Sequence, residues 1–284
     1  MRQDIREIIE TATGSRPVEF QALHGGCVSD VMRVDLADGE RVVIKLGDEA
    51  TGLTQEAFRL RYLAEKTDLP VPEVIYVDPG VLVIGYVETR GGITAPAQEH
   101  AAELLAALHG VTHEACGFDQ GSLSGGLEKP APWTESWVEF FREHRLRFTA
   151  KAALDSGNLP RELAPRIEKL AGKIDRVLVE PDRPSLIHGD MWTGNVLCLN
   201  GRVAAFVDPS CYYAHAEQEL AYSTLFGTFG KPFFRRYHEI RPIQPGFFEE
   251  RLHLYNLYHL LIHVRLFGGT YVQATADTLR YYGF

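Results

Sequence analysis

Three residues in the stretch 185–210, S-L-I-H-G-D-M-W-T-G-N-V-L-C-L-N-G-R-V-A-A-F-V-D-P-S, have the types and spacing to do chemistry: Asp190, Asn195 and Asp208. Asp190 and Asn195 stand five apart in a loop-like run that contains Gly189 and Gly194. Behind Asn195 come an apolar run (196–199), the pair Asn200-Gly201, and a second apolar run (203–207) that delivers Asp208. Asn-Gly between apolar runs is the strongest short-range hairpin signal. A two-residue turn brings the outer ends of its strands together, so Asn195 and Asp208 are predicted neighbours. An amide oxygen and a carboxylate are hard ligands suited to Mg²⁺, which keeps its other positions for water and phosphate. Asp190, just upstream, is free to act on a hydroxyl. An Asp base, an Asn beyond it and a second Asp for the metal are the parts of nucleotide-dependent phosphoryl transfer. Taken singly, Asp and Asn in loops are usually turn formers. The ordered set joined by a hairpin is much harder to reach by chance.

Such chemistry needs a scaffold for the nucleotide, and the first third of the chain reads as one. Ile5, Ile8 and Ile9 mark one face of a short helix ending near Gly14. Strands follow over 18–23, 31–36 and 41–46, then a helix over 55–66, then strands over 73–77 and 81–87. That order is the order of a kinase amino-terminal lobe, predicting a nucleotide-binding lobe over 1–88 and a catalytic and substrate lobe over 89–284. Lys45 closes the run V-V-I-K, the place of a strand lysine that binds α- and β-phosphates and pairs with a helix carboxylate. Glu56 is the candidate partner; Glu49, in a Gly/Asp-rich connection, is the alternative. Between the first two strands lies H-G-G-C-V-S-D. There Gly25 and Gly26 let backbone N–H groups approach phosphate, and Ser29 offers a hydroxyl. By analogy, the backbone of Gly85 and Val87 is the place for an adenine edge.

The remaining two thirds read as mainly helical, with helices over 98–109, 135–154 and 161–179. Another begins near Glu217. Glu217 and Glu219 are read there as first-turn carboxylates favoured by the helix dipole. In the last helix Tyr255, Tyr258, His259 and Ile262 recur at helical spacing; this is chiefly a core pattern, with a sugar pocket as the alternative. The fold class is therefore α+β: a small antiparallel sheet lobe and a mainly helical lobe. The net charge of −9 and pI near 5.7 argue against nucleic acid as the main partner. The four cysteines are scattered without a CxxC, which fits a reducing, cytoplasmic compartment. No run reaches the length of a membrane helix. Nothing reads as a dedicated association segment, so the oligomeric state is left open.

At H-G-D-M-W-T-G-N the chain resembles the fructosamine kinase (ketosamine-3-kinase) family, relatives of aminoglycoside and choline kinases with a protein-kinase-like fold. Met191 stands where the family pattern H-G-D-L-W-x-G-N has Leu. G-G-C-V-S at 25–29, D-P-S-C-Y-Y-A-H at 208–215, the F-F-x-x-Y-H of 233–238 and L-Y-H-L-L-I-H-V-R-L-F-G-G-T-Y at 257–271 carry the resemblance along nearly the whole chain. It implies an enzyme that uses ATP and Mg²⁺ to phosphorylate a sugar hydroxyl of a ketosamine, free or protein-linked. The unstable 3-phosphate then sheds the adduct and repairs the amine. On the matching positions, Asp190 would accept the hydroxyl proton, and Asn195 and Asp208 would hold Mg²⁺. Lys45 with Glu56 would hold the ATP phosphates. Gly25, Gly26 and Ser29 would form the phosphate loop, and Trp192 would pack on the sugar or its amine substituent. The phosphate loop has fewer glycines than a protein kinase, as is usual for the family, and Gly85 replaces the larger residue of many kinases. The resemblance also raises a redox switch at Cys27. Another hydroxylated amine (an aminoglycoside, choline or a methylthio-sugar) is the competing acceptor, and a catalytically silent ATP-binding protein the competing class.

Overall fold

The computed structural model describes residues 2–23, 30–124 and 126–284. The expectations placed on Gly25, Gly26, Cys27 and Ser29 lie outside the described residues. Helix α1 (Arg2–Thr13) leads into a five-stranded antiparallel sheet. Its strands are β1 (Pro17–Ala22), β2 (Asp30–Leu36), β3 (Arg41–Leu46), β4 (Val74–Asp78) and β5 (Val81–Gly85), in the order β1-β2-β3-β5-β4. Helix α2 (Leu53–Lys66) connects β3 to β4. Strand alternation explains how β3 serves two faces. Val42 and Ile44 point into one cluster with Ile5, Ile9, Val34 and Val83. Val43 points the other way, toward the cluster in which Leu53, Ala57 and Leu60 of α2 cover Leu82 and Ile84. Lys45 shares the face of Val43, so the sheet's own pleat aims it at α2.

The rest of the chain holds α3 (Ala95–Leu108), a short hairpin of β6 (Ser122–Ser124) and β7 (Leu127–Lys129), α4 (Trp137–Phe141), α5 (Phe148–Asp155) and α6 (Ala164–Ala171). Next come β8 (Ser185–Ile187), β9 (Val196–Leu199), β10 (Arg202–Phe206), β11 (Tyr212–Ala214), α7 (Ala216–Leu225), α8 (Lys231–Ile240), α9 (Leu252–Phe267) and α10 (Thr270–Tyr281). Two helices differ from their sequence reading. The helix expected over 135–154 is broken by a π-helical stretch, Arg142–Arg147. That stretch carries Arg145 into the interior, 1% exposed. The helix expected over 161–179 covers only Ala164–Ala171, entered through a proline and left at Gly172. Helix α9 is buried nearly all round, including Tyr255, Leu257, Tyr258, Leu261 and Val264, as a central helix must be.

Two local features position the site. The β9–β10 hairpin turns at Asn200 (φ 52°) and Gly201 (φ 77°), the left-handed pair a tight hairpin needs. Strands β8 and β11 pair antiparallel, Ile187 opposite Tyr212, which lays His188-Gly189-Asp190 against Asp208-Pro209-Ser210. At their contact Gly189 has φ 83°, and a Cβ there would sit 2.3 Å from the Ser210 carbonyl oxygen, so only glycine fits. No helix among the described residues is long and apolar enough to cross a membrane.

Candidate active site

The hairpin brings Asn195 and Asp208 together as its sequence predicts. The Val207 N–H donates to the Asn195 carbonyl at 3.1 Å, which fixes the two ends side by side. The Asn195 amide nitrogen donates to both the backbone carbonyl and the carboxylate of Asp190, each at 2.9 Å. Its amide oxygen is thereby turned away from Asp190. Asp208 adopts φ 56°, a left-handed conformation that Asp tolerates better than most residues and that recurs at functional sites. No group of three or more His, Cys, Asp or Glu gathers among the described residues as a metal cage. Asn195 and Asp208 instead both line one cleft, and an amide oxygen with a carboxylate is a pair that could hold Mg²⁺ beside phosphate and water.

Lys45 reaches across the cleft. Its ammonium donates to Glu56 Oε1 at 2.7 Å and to Asp208 Oδ1. Burial works against this charge, yet the Glu56 and Asp208 carboxylates outweigh it, and the Lys45 pKa is raised. Glu56, not Glu49, is the partner. Helix α2 is itself anchored: the buried Arg59 donates to the carbonyls of Gln120 and Gly121 at 3.0 and 2.7 Å. The ion pair thus rests on a helix tied to the chain beyond the sheet.

A cleft of about 290 Å³ runs beside these groups. Lys45, Asn195 and Asp208 line it, as do Gly85, Val87 and Gly194. The Gly85 N–H is already bonded to the Glu73 carbonyl at 2.9 Å and is not free to meet a ligand. Ordinary space surrounds Gly85, the nearest atom to an added Cβ being 3.8 Å away. Trp192 folds its ring back over Gly194, where an added Cβ would lie 2.4 Å from the indole. The expected substrate-packing tryptophan therefore also shapes the loop that carries Asn195.

Around Asp190 lies a set of buried groups that sequence reasoning resolved only in outline. Burial and the nearby Asp190 carboxylate raise the Tyr222 pKa, and the Tyr222 ring stacks on His259 with centroids 3.6 Å apart. His259 is buried and its Nε2 has no partner among the described residues. Lys129, at the end of β7, is 5% exposed and donates to Ser210 Oγ at 3.2 Å. Burial pushes Lys129 down to about 8 against the attraction of Asp190, with Arg145 and Arg59 adding to the push. Arg145 packs over the rings of Phe140 and Tyr212, at 4.5 and 4.2 Å, and donates to the Tyr212 hydroxyl at 3.0 Å. Burial raises the Asp190 pKa; Lys129 and His188 pull it back, and Asp208 adds to the rise. A carboxylate so placed is suited to taking a proton from a bound hydroxyl.

Glu219 does stand in the first turn of α7, as the sequence suggests, but it is 2% exposed and does more than answer the helix dipole. Its Oε1 accepts from the Gly189 N–H at 2.7 Å, and its Oε2 meets His109 Nε2 at 2.9 Å. The other His109 nitrogen meets the Tyr237 hydroxyl at 2.7 Å. Burial alone would raise the Glu219 pKa, but the His109 contact outweighs it and the pKa is lowered. Glu217, two residues earlier, is held bidentately by Arg251 at 2.6 and 2.7 Å. The only signal available for Glu219 was its place near the H-G-D run in a folded α7, which no spacing rule reveals.

The family model for fructosamine kinase matches residues 1–282. A probable ketoamine kinase of Synechocystis is 34% identical over 291 residues, spanning 98% of this chain and 95% of that relative. The chloroplastic protein-ribulosamine 3-kinase of Arabidopsis thaliana is 34% identical over 179 residues, spanning 61% of this chain and 53% of its own length. Among solved structures, a Thermobifida fusca protein assigned as a fructosamine-3-kinase superposes with a TM-score of 0.86 at 29% identity, covering 98% of this chain and 97% of that one. The aminoglycoside phosphotransferase APH(2")-IIa, solved with gentamicin, superposes with a TM-score of 0.66 at 17% identity, covering 98% and 95%. At that identity it speaks for the protein-kinase-like fold alone.

Proposed function

Because the chain belongs to the fructosamine kinase family, we propose that it moves the γ-phosphoryl group of ATP onto a hydroxyl in the sugar part of a ketosamine. It is a phosphotransferase with a hydroxyl acceptor. The observation that carries the reading is that Lys45, Asn195 and Asp208 line one cleft, Lys45 bonded to Asp208, while Asn195 is hydrogen-bonded to Asp190.

In this reading Asp190 accepts the proton of the sugar hydroxyl, oriented by the Asn195 amide. Lys45, fixed by Glu56, holds the donor phosphates. Asn195 and Asp208 would hold Mg²⁺, which supplies charge neutralisation on the transferring phosphoryl group. The family resemblance assigns Gly25, Gly26 and Ser29 to the phosphate loop. The backbone of Gly85 and Val87 meets the adenine edge, through groups other than the Gly85 N–H, which Glu73 already holds. Trp192 keeps the loop's shape while contacting the sugar or its amine. Residues 1–88 form the nucleotide lobe and 89–284 the catalytic and substrate lobe. Most of the rate comes from positioning and electrostatics, since phosphoryl transfer leaves little covalent work to the protein.

The wall around Asp190 also bears on the acceptor. Lys129 is a buried cation near Asp190, and the buried Arg145 lies near Lys129 in turn. They disfavour a polycationic aminoglycoside and suit a hydroxyl-rich, weakly charged sugar. The product's later loss of phosphate and release of the amine make the role one of deglycation, on free or protein-linked adducts. The buried free thiols of Cys116, Cys198 and Cys211 support a reducing, cytoplasmic setting.

ATP consumption with Mg²⁺ on fructoselysine, ribuloselysine, kanamycin and choline tests the proposal. Turnover on a ketosamine is the expected result and ranks the two sugars. Turnover confined to kanamycin or choline overturns the acceptor while leaving the chemistry in place.

A further inference from the structure

A second cavity, of about 430 Å³, opens at the first turn of α7 and shares no lining residue with the nucleotide cleft. Its wall carries Arg183 and Arg241, the hydroxyls of Thr112 and Ser185, and His215 at the α7 N-cap. The Arg241 guanidinium leans on Ser185 Oγ at 3.2 Å and meets no carboxylate within ion-pair distance among the described residues. Two carboxylates are near. Glu217 lines the cavity, but both its oxygens are taken by Arg251. Asp182 lies at the exposed rim.

His215 is the second, independent feature. It is 6% exposed. Its Nδ1 accepts the Glu217 N–H at 3.2 Å, so in the neutral ring Nε2 carries the proton. That Nε2 has no partner among the described residues. A buried donor left unmatched is uncommon in a native fold and calls for a ligand or an ordered water. Burial, followed by the charges of Arg251, Arg241 and His109, pushes His215 down to about 3. The surroundings of this donor are thus positive. Helix α7, ten residues long, adds the partial positive charge of its N-terminus.

We propose that this cavity binds a phosphorylated small molecule, its phosphate held by Arg241 and Arg183 and by the unmatched His215 Nε2–H at the α7 N-cap. Arginines are suited to that work because the guanidinium fork matches phosphate oxygens. The cavity falls in the size range of small-molecule sites and leaves room beyond a single phosphate for a sugar-sized body. The inference does not depend on which acceptor the catalytic site uses.

Calorimetric titration of the full chain tests it, with the nucleotide cleft saturated by a non-hydrolysable ATP analogue and ionic strength held constant. The probes are inorganic phosphate and a pentose 5-phosphate. One-to-one binding that persists beside the analogue is expected, with the sugar phosphate tighter than phosphate alone. Arg241→Gln is expected to weaken it about tenfold or more, the loss of a charge-assisted bond. Arg183→Gln, at an exposed residue whose loss cannot unfold the chain, is expected to weaken it as well. Inorganic phosphate binding as tightly as the sugar phosphate would identify the site as one for a free oxyanion and overturn the sugar-phosphate assignment. Absence of heat at millimolar probe, displacement by the ATP analogue, or unchanged affinity in both arginine variants would each overturn the site itself.

Discussion

Replacing Glu219 with Ala should damage both the fold and the reaction, because one buried carboxylate serves two partners. Its oxygens accept the Gly189 N–H and meet His109, and none of the three groups has water to fall back on. Each buried group left without its partner costs about 1–3 kcal/mol. Breaking a buried charged contact costs about 3–5 kcal/mol. We therefore expect Glu219→Ala to lose about 4 kcal/mol, and Tm to fall by roughly 8–16 °C at 2–4 °C per kcal/mol. Glu219→Gln keeps a carbonyl oxygen for Gly189 and should lose only about 1–2 kcal/mol. Gly189 adjoins Asp190, so a small shift of the loop should lower turnover of the folded Ala variant by about 10- to 100-fold. Urea unfolding monitored for both midpoint and slope gives the stability, and steady-state kinetics at a temperature where the variant is folded gives the rate. An Ala variant within 1 kcal/mol of wild type, or one at wild-type turnover, would refute the argument that Glu219 holds the loop.

Other expectations follow from the same structure. Lys129→Met removes a buried cation whose only hydrogen-bond partner among the described residues is Ser210. Stability should hold or rise while turnover falls about tenfold or more, a trade-off typical of active-site groups; unfolding and kinetics run side by side would expose a variant that keeps its rate. Gly194→Ala sets a methyl against the Trp192 ring at 2.4 Å. It should cost about 1–3 kcal/mol, shift the tryptophan emission and lower turnover; an unchanged spectrum and rate would contradict the described packing. Acid should destabilise the protein. His215 is held down to about 3, below its ordinary 6.5, so the unfolded chain binds a proton the fold refuses. The stability it contributes is complete above pH 6.5 and is lost as pH falls toward 3. From this group alone unfolding at pH 5 should be easier than at pH 7 by about 2 kcal/mol. His188 and His259 shift the same way, while the raised pKa of Asp190 opposes them. Denaturation at the two pH values checks the sign, and equal stability would contradict it.

The parts that local rules govern were legible in the sequence. The Asn200-Gly201 turn dictates which residues pair across β9 and β10, and with that Asn195 and Asp208 meet. Strand alternation in V-V-I-K aims Lys45 at α2, where Glu56 stands within a turn of the helix start. Distant contacts were not legible. Lys129 ends a three-residue strand, too short for any periodicity, and finds Ser210 only through folding. Glu219 and His109 meet across a separation of 110 residues, and first-turn position made the ordinary dipole explanation sufficient for the glutamate. Tyr222 lies in a helix of weak amphipathicity, buried through most of its length, so nothing in its spacing marks it for Asp190. Helix limits failed for a related reason. Gly172 ends α6 early, and the π-helical stretch that buries Arg145 leaves no mark on a 3.6-residue pattern.

The central claim is that Asp190 takes the proton from the acceptor hydroxyl, and Asp190→Asn tests it most directly. The measurement is turnover of ribuloselysine or fructoselysine with saturating Mg²⁺ and ATP, beside ATP affinity and thermal stability of the same variant. The account predicts a fall in kcat of about 10²- to 10⁴-fold, the usual contribution of a general base, with ATP affinity and fold retained. Near-wild-type turnover in the folded variant would contradict it.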